Sequence, residues 1–244
     1  MIWQVPKIWE GGDVWILGGG PSVTKQFNIP DEIVQSVING TSPLSIYSSY
    51  MSFLHDKHVI GINVAYLIGD WIDMIFFGDN GFFLSHQQGL AKFSGIKISC
   101  NSQVDKYNWI KYLPKNNRHP KGISESPRMV SWNGNSGAAA ISIAAHSGAK
   151  RIILLGFDMK LNEQNHQHWH DVYHKLPTNQ NPRRMKGLPF DRHLRGFPDI
   201  ARDAKMMGIE ILNASPDSAI QCFKKVTVQE LVTEKQKILE EVLI

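Results

Sequence analysis

The sequence holds only two cysteines among its 244 residues, Cys100 and Cys222. Two cysteines so far apart form no disulfide framework, and their spacing matches no zinc-binding motif. Long hydrophobic runs are also missing, because no apolar stretch reaches the roughly 18 residues of a membrane-spanning helix. The N-terminal residues MIWQVPKIWEGG lack the basic segment and apolar core of a secretory signal. These absences predict a cytoplasmic protein without a membrane span.

A large excess of one charge is missing too. The chain has 26 Lys and Arg against 22 Asp and Glu, which is a net charge of +4. A charge this small is common in cytoplasmic proteins and does not by itself indicate binding to nucleic acid. The densest basic clusters are Arg183 to Lys186 and Arg192 to Arg195. The length and a hydrophobic content of 42% predict a single domain over residues 1–244.

What the chain does have is an alternation of short apolar runs with helical stretches. Apolar runs bounded by glycine, such as DVWILGG, are typical of strands buried on both faces. Helices are expected at 81–93, 136–148 and 197–208, with a C-terminal helix at 227–244. The alternation predicts an α/β fold with a mostly parallel central sheet of about six strands and helices on both faces. The predicted strands are 13–19, 58–63, 73–79, 96–101, 151–158 and 209–215.

Two long polar insertions interrupt this alternation, at about 102–133 and about 160–196. Loops of this length in a compact domain are usually functional or disordered. The second insertion follows the C-terminal end of a predicted strand, which is the side on which open α/β sheets bind ligands. We therefore expect the insertions to form acceptor-side loops or a lid.

The first predicted strand ends in three glycines, in the stretch DVWILGGGPSV. Glycines let a ligand approach the backbone, and the N-terminus of a following helix attracts phosphate. Two standard motifs are excluded, because the dinucleotide motif needs a glycine at Val23 and the P-loop motif needs one directly before Lys25. A merely tight strand-to-helix turn is the structural alternative. As a ligand site, the turn would hold donor phosphates on Gly18, Gly19, Gly20 and Ser22.

Polar residues follow nearly every predicted strand. The C-terminal ends of parallel strands share one edge of the sheet, so these side chains are expected to line one crevice. Each residue taken singly also suits a turn or a helix cap. The set together predicts a polar crevice that binds a nucleotide. The further residues predicted to bind the donor are Asn63, Asp79, Asn80, Asn135, Ser136, Asp158, Asn213 and Ser215.

Four stretches occur in an order that carries a family resemblance: ILGGGPSV, IGINVAYLIGDWIDMIFFGD, NSGAAAISIAAHSGAKRIILLGFDM and GIEILNASPDSAIQCF. The chain resembles the superfamily that joins lipooligosaccharide sialyltransferases, motility-accessory flagellin glycosyltransferase domains and 6-hydroxymethylpterin pyrophosphokinase-like proteins, together with uncharacterised phage proteins. The resemblance runs from Asp13 to about Val228 and fails in the two polar insertions. It implies a Rossmann-like fold and a nucleotide-linked donor.

The resemblance also assigns positions within the crevice. In the sialyltransferases the first motif is Gly-Asn-Gly-Pro-Ser and its Asn contacts the nucleotide, whereas this chain has Gly19 there. We therefore expect a donor other than CMP-sialic acid. The family's other motif residues match Asn63 after the second strand, Ser136 and Gly137 at a helix start, and Gly156 and Asp158 after the fifth strand.

Histidine supplies the expected chemistry. The sialyltransferase branch has a general-base histidine just before the helix that leads to the last strand, and His193 falls near that place. An unperturbed imidazole, with a pKa near 6.5, accepts a hydroxyl proton at neutral pH. Arg192 and Arg195 are expected to steady the phosphate leaving group. His170 is the second candidate for the base.

The histidine cluster NHQHWHDVYH has its own two interpretations. His166, His170 and His174 are spaced to share a helix face, so a pair of them could chelate a metal with Asp171 nearby. No standard zinc motif frames them, and histidine also serves in polar loops. We therefore expect no metal site there.

Several functions stay open at this stage. The first is a glycosyltransferase that needs no cofactor and moves a sugar to a hydroxyl of a glycan, protein, small molecule or modified DNA base. The second is a Mg²⁺-dependent transfer of diphosphate from ATP, in which Asp79 could hold the metal instead of capping a helix. The third is a nucleic-acid-binding or DNA-modifying phage protein with exposed Trp109, Trp132 and Trp169. The fourth is a non-catalytic nucleotide-binding module, and a homo-oligomer is compatible with each.

Overall fold

The computed structural model describes residues 2–170, 172 and 188–234. Asp171, His174, the basic cluster Arg183 to Lys186 and the part of the predicted C-terminal helix after residue 234 lie outside these residues.

The described residues form one sheet of eight strands, each parallel to its neighbours. Their order across the sheet is β5 (Ile110–Tyr112), β4 (Ile96–Ser99), β3 (Met74–Phe77), β2 (His58–Ile62), β1 (Asp13–Leu17), β6 (Arg151–Leu155), β7 (Glu210–Asn213) and β8 (Lys224–Lys225). The six predicted strands are β1, β2, β3, β4, β6 and β7.

The expected number of about six strands is wrong, because two further strands lie at the ends of the sheet. They are β5 (Ile110–Tyr112), inside the first polar insertion, and β8 (Lys224–Lys225). Both are very short and rich in lysine, so they carry none of the apolar signal of a buried strand. Edge strands with charged side chains are a common way to protect the rim of a sheet.

The central strand β1 buries both of its faces. Trp15 and Leu17 belong to one hydrophobic cluster, whereas Val14 and Ile16 belong to the cluster on the opposite face. This alternation follows from the two-residue repeat of side chains along a strand. Helices cover both clusters, as the sequence predicted.

The helices are α1 (Ser22–Gln26), α2 (Asp31–Ile38), α3 (Asn80–Lys92), α4 (Ser136–His146), α5 (Phe190–Leu194) and α6 (Phe197–Met207). Short 3-10 segments cover Leu44–Leu54, Asn63–Leu67 and Ser102–Val104, and residues 228–234 are helical. Over the described ranges, none of the helices combines the length and the apolar character that crossing a membrane requires.

The position of β1 in the sheet creates the functional edge. β1 pairs with β2 on one side and with β6 on the other; the chain continues from β1 towards β2, but from β6 towards β7 in the opposite direction. The loops that follow β1 and β6 therefore separate, which opens a crevice at the C-terminal ends of these strands.

Candidate functional site

A cavity of about 540 Å³ lies at this edge of the sheet. Its walls come from the segments after β1, β2, β3 and β6, from the start of α4, and from α5. Eleven predicted site residues line it, and their roles in binding and catalysis stay predictions. They are Gly18, Gly19, Gly20, Asn63, Asp79, Asn135, Ser136, Gly137, Asp158, Arg192 and His193.

The other six predicted site residues do not line the cavity. Asn213 and Ser215 are completely buried beneath it, and Ser22 bonds to Asp158 and Ser215. Asn80 accepts a hydrogen bond from Asn101, 3.1 Å away. Arg195 is exposed at the end of α5. His170 is 4% exposed and packs edge-to-face on Trp169, so it faces the interior.

Two of the three glycine N–H groups in the turn already donate within the protein. Gly18 N–H donates to the Leu155 carbonyl at 2.7 Å, and Gly20 N–H donates to the Gly156 carbonyl at 2.9 Å. The turn is thereby tied to the end of β6. A phosphate held by the N–H groups of Gly18 and Gly20 would have to replace these bonds, because a backbone N–H has a single proton to donate.

A carboxylate also occupies the N-terminus of α1. Asp158 Oδ1 accepts from the Ser22 N–H at 3.2 Å, and Asp158 Oδ2 accepts from the Ser22 hydroxyl at 2.9 Å. Burial raises the pKa of Asp158, and its two bonds with Ser22 oppose that shift. The structure therefore has an acidic side chain where the sequence analysis expected a phosphate.

Gly20 is required by this arrangement. A Cβ at position 20 would overlap the Asp158 carboxylate and approach the Gly156 carbonyl oxygen to 2.6 Å. Replacing Gly20 by alanine is expected to lower the free energy of unfolding by about 1–3 kcal/mol or more, the usual cost of overpacking. Urea denaturation followed by circular dichroism would measure it.

Gly81→Ala is the matched control, because Gly81 lies in α3 with no atom near its missing Cβ and no positive φ. It should leave the protein equally stable or stabilise it slightly, since alanine favours the helix. Equal stability of the Gly20 and Gly81 variants would contradict the tight packing of Asp158 on the turn.

Trp169 anchors the start of the second polar insertion to the same turn. Its side chain is 1% exposed, and its Nε1–H donates to the Gly18 carbonyl at 2.8 Å. Its backbone N–H donates to the Gly19 carbonyl at 3.1 Å, and the Tyr47 hydroxyl donates to its carbonyl at 3.2 Å. This part of the insertion is therefore a fixed wall of the cavity.

The expected helix face of His166 and His170 is wrong, because residues 161–170 form turns and bends. Asn165 has a positive φ of 59°, and the anchoring of Trp169 pulls the chain against β1. His174 lies outside the described residues. In the part of the chain that the structure describes, no three His, Cys, Asp or Glu side chains cluster as a metal site.

His168 is a cavity residue that sequence reasoning did not select. Its Nδ1 lies 3.2 Å from the Gly19 carbonyl oxygen, which can only accept, so Nδ1 carries the proton. A Cβ at Gly19 would lie 2.9 Å from the same nitrogen. Gly19, which stands where the sialyltransferase motif has Asn, therefore packs closely against His168 of the second insertion.

The turn before α4 differs from the glycine turn, because it leaves backbone donors facing the cavity. Asn135 caps the helix by accepting from the Ala138 N–H at 2.8 Å. The first backbone bond of the helix is donated by Ala139 to the Asn135 carbonyl. Ser136 and Gly137 precede that bond and line the cavity, and their N–H groups donate no bond to the other described residues, so they belong to the unpaired first turn that attracts anions.

The β3 side of the cavity carries Asp79, Lys115 and Trp132. Asp79 begins α3 through its carbonyl without a side-chain cap, so capping does not explain this carboxylate. The Lys115 ammonium lies 4.0 Å from the centroid of the Trp132 ring. Lys115 and Trp132 were not selected as site residues, because both come from the first insertion, where no periodic pattern indicates which side chains point inward.

α5 contributes His193 and Arg192 to the cavity. Burial, followed by the charges of Arg192 and His168, lowers the pKa of His193 to about 4. Its imidazole is therefore neutral at physiological pH and able to accept a proton. Asn135 also donates its side-chain N–H to the His193 carbonyl at 3.3 Å, which fixes α5 against the start of α4.

The tryptophans named for nucleic-acid binding are not exposed. Trp169 is buried, and Trp109 and Trp132 are half-buried. Trp109 packs on Phe83 and Tyr107. Base stacking needs accessible rings, so the observation required for a nucleic-acid surface is not found.

Comparisons with known proteins support the fold. No family model and no curated protein matches the chain. Its structure is similar to a MAf glycosyltransferase from Magnetospirillum magneticum AMB-1, with a TM-score of 0.57 and 13% identity over 99% of this chain and 38% of that one. The chain thus spans little more than a third of that protein. The likeness supports a glycosyltransferase-like α/β fold, whereas the sialyltransferase and pterin pyrophosphokinase parts of the resemblance stay predictions.

Proposed function

We propose that this protein is a transferase of the glycosyltransferase type, which binds a nucleotide-linked sugar in the cavity and transfers the sugar to a hydroxyl group. One observation carries the proposal: the open first turn of α4 lines the same cavity as two basic side chains and a neutral imidazole. Such a site can hold a phosphate and accept a hydroxyl proton within one enclosed volume.

The donor phosphate binds at the start of α4 in this proposal, and not at the glycine turn. The N–H groups of Ser136 and Gly137 and the helix dipole attract the anion. Lys115 and Arg192 line the same cavity and add positive charge. The glycine turn offers the opposite environment, because Asp158 already occupies it.

His193 acts as the general base. Its neutral ring accepts the proton of the acceptor hydroxyl while that oxygen attacks the sugar carbon. The bond between this carbon and the phosphate oxygen breaks, and its electron pair leaves with the nucleotide. Positive charge from Arg192 compensates the negative charge on the departing phosphate. Asp79 is placed by its unused carboxylate to accept hydroxyl groups of the sugar or ribose.

Ligand binding tests the proposal directly. Thermal unfolding of the protein is measured with CMP-, UDP-, GDP- and ADP-linked sugars, and with ATP in the presence and absence of Mg²⁺. At least one nucleotide-linked sugar is expected to raise Tm, because a ligand at about 100 times its Kd adds about 2.7 kcal/mol of stability. Lys115→Gln should weaken that effect, and the exposed Lys205→Gln should leave it unchanged.

The outcomes separate the competing functions. Stabilisation by ATP alone, lost when Mg²⁺ is chelated, favours diphosphate transfer. Stabilisation by none of the nucleotides contradicts the proposal. Binding of a nucleotide sugar without release of the sugar to water or any hydroxyl acceptor favours a non-catalytic binding module.

A further inference from the structure

The arginine beside the proposed base contacts the nitrogen that would take the proton. Arg192 Nη2 lies 3.2 Å from His193 Nε2. A guanidinium group has only donors, so His193 Nε2 accepts this hydrogen bond and the ring proton resides on Nδ1. The lone pair that a general base uses is therefore engaged by the protein's own side chain.

The backbone of α5 holds this pair close to the proposed phosphate position. The Arg192 carbonyl oxygen would lie 3.0 Å from a Cβ at Gly134, whose φ is 85°. Asn135 donates to the His193 carbonyl from the same turn. The Arg192 side chain thus starts next to the first turn of α4, and Ser136 and Gly137 lie within the same cavity.

We propose that Arg192 blocks His193 Nε2 in the unliganded protein, and that a phosphate anion at the start of α4 draws the guanidinium away and frees the base. This inference rests on the proposed function and deepens it, since it makes Arg192 a positioning residue that responds to the donor. The exchange is balanced: Arg192 gives up a nitrogen acceptor and gains phosphate oxygens, and Nε2 becomes available for the acceptor's proton.

The consequence is an order of events. An acceptor hydroxyl that arrives before the donor finds a base whose lone pair is taken. Once the donor phosphate is bound, the base is available and the leaving group has its counter-charge. Charge-assisted bonds from arginine to phosphate are stronger than a bond from arginine to a neutral ring nitrogen. The phosphate therefore replaces His193 Nε2 as the hydrogen-bond acceptor of Arg192.

The charges around His193 determine whether its pKa rises or falls when a phosphate binds. Arg192 and His168 face it, and both lower its pKa. Moving Arg192 onto a phosphate removes one of these influences, and the phosphate adds an opposite charge. Both changes raise the pKa of His193 from about 4 towards neutrality, where a base is most effective. The other charged side chains that line the cavity are Asp79, Lys115, Asp158 and Lys160.

Histidine titration by NMR tests this inference with inorganic pyrophosphate as the probe. The wild-type pKa of His193 is expected to rise by about 1–3 pH units when pyrophosphate binds. In Arg192→Ala it should already be raised without the anion, and pyrophosphate should add less. Arg118→Ala is the matched control, because Arg118 is exposed and does not line the cavity; His193 should titrate in this variant as in the wild type.

Three results would overturn the inference: pyrophosphate that fails to bind, a His193 pKa that stays constant when ³¹P NMR shows binding, or equal values in Arg192→Ala and wild type. The proposed function fails in a different way. If His193 responds to pyrophosphate as expected but no nucleotide-linked sugar is bound or turned over, the block by Arg192 stands and the glycosyl transfer does not.

Discussion

Replacing His193 by alanine is expected to lower the transfer rate by about 100- to 10,000-fold, the contribution of a positioned general base. The reason is that only water would then be left to take the proton of the acceptor hydroxyl. His193 is the neutral imidazole that lines this cavity beside Arg192. Steady-state rates with the donor found by thermal shift, measured for wild type and variant, give the ratio of kcat/KM.

His193→Gln separates proton transfer from structure. A glutamine oxygen can still accept the hydrogen bond from Arg192, but it cannot take a proton at neutral pH. The variant should therefore bind the donor like wild type and still lose the rate. His119→Ala is the matched control, because His119 is exposed in a separate groove of about 410 Å³ that also contains His146. Full activity of His193→Gln would remove the base assignment.

The pH dependence of the rate is a second test of His193 as the general base. In a free enzyme the acid limb of kcat/KM reports the pKa of the essential base. With a His193 pKa of about 4, kcat/KM should hold from neutral pH down to the acid range and fall only there. In the pH profile of kcat the acid limb should lie at higher pH, because the bound donor raises the pKa of His193. A limb that is unchanged in His193→Gln would belong to another group.

Replacing Trp169 by alanine is expected to cost about 3–5 kcal/mol of unfolding free energy, as for other buried large aromatic side chains. The indole is 1% exposed, packs against Tyr47 at a centroid distance of 5.9 Å, and donates to the Gly18 carbonyl. Its removal leaves a cavity and an unpaired carbonyl beneath the glycine turn. Equilibrium unfolding in urea measures the loss.

Trp169→Phe divides this loss into its parts. Phenylalanine keeps most of the apolar ring but lacks the indole N–H, so it should cost about 1–3 kcal/mol for the unpaired carbonyl. Both variants should also weaken donor binding, because Trp169 carries His168 into the cavity wall. A loss below about 1 kcal/mol for Trp169→Ala would show that the segment is not anchored as described.

The sheet was largely predictable from the sequence. Strands such as β1 and β6 are buried on both faces, so every residue after the first is apolar and the strands can be recognised without any tertiary information. β5 and β8 were not predictable, because a strand of two or three residues with lysines has no apolar signature. Their strand conformation comes from pairing with β4 and β7.

The crevice was predictable for a related reason. Parallel strands end at one edge, so Asn63, Asp79 and Asp158 had to approach one another wherever the intervening loops went. The residues that the insertions bring to the same place, His168 and Lys115, were not predictable. An irregular loop has no period from which the direction of a side chain can be read.

The sequence by itself determined that this chain forms a parallel α/β sheet with a polar, glycine-containing edge. The order of apolar runs and strand-end residues is enough for that, because it depends only on local periodicity. Only the tertiary structure decided what the glycines do. The groups that occupy the turn come from far along the chain: Asp158 is 136 residues from Ser22, and His168 is 149 residues from Gly19. Whether a turn is open to a phosphate depends on which partners reach its N–H groups first, and here Leu155, Gly156 and Asp158, at and just after the end of β6, do so.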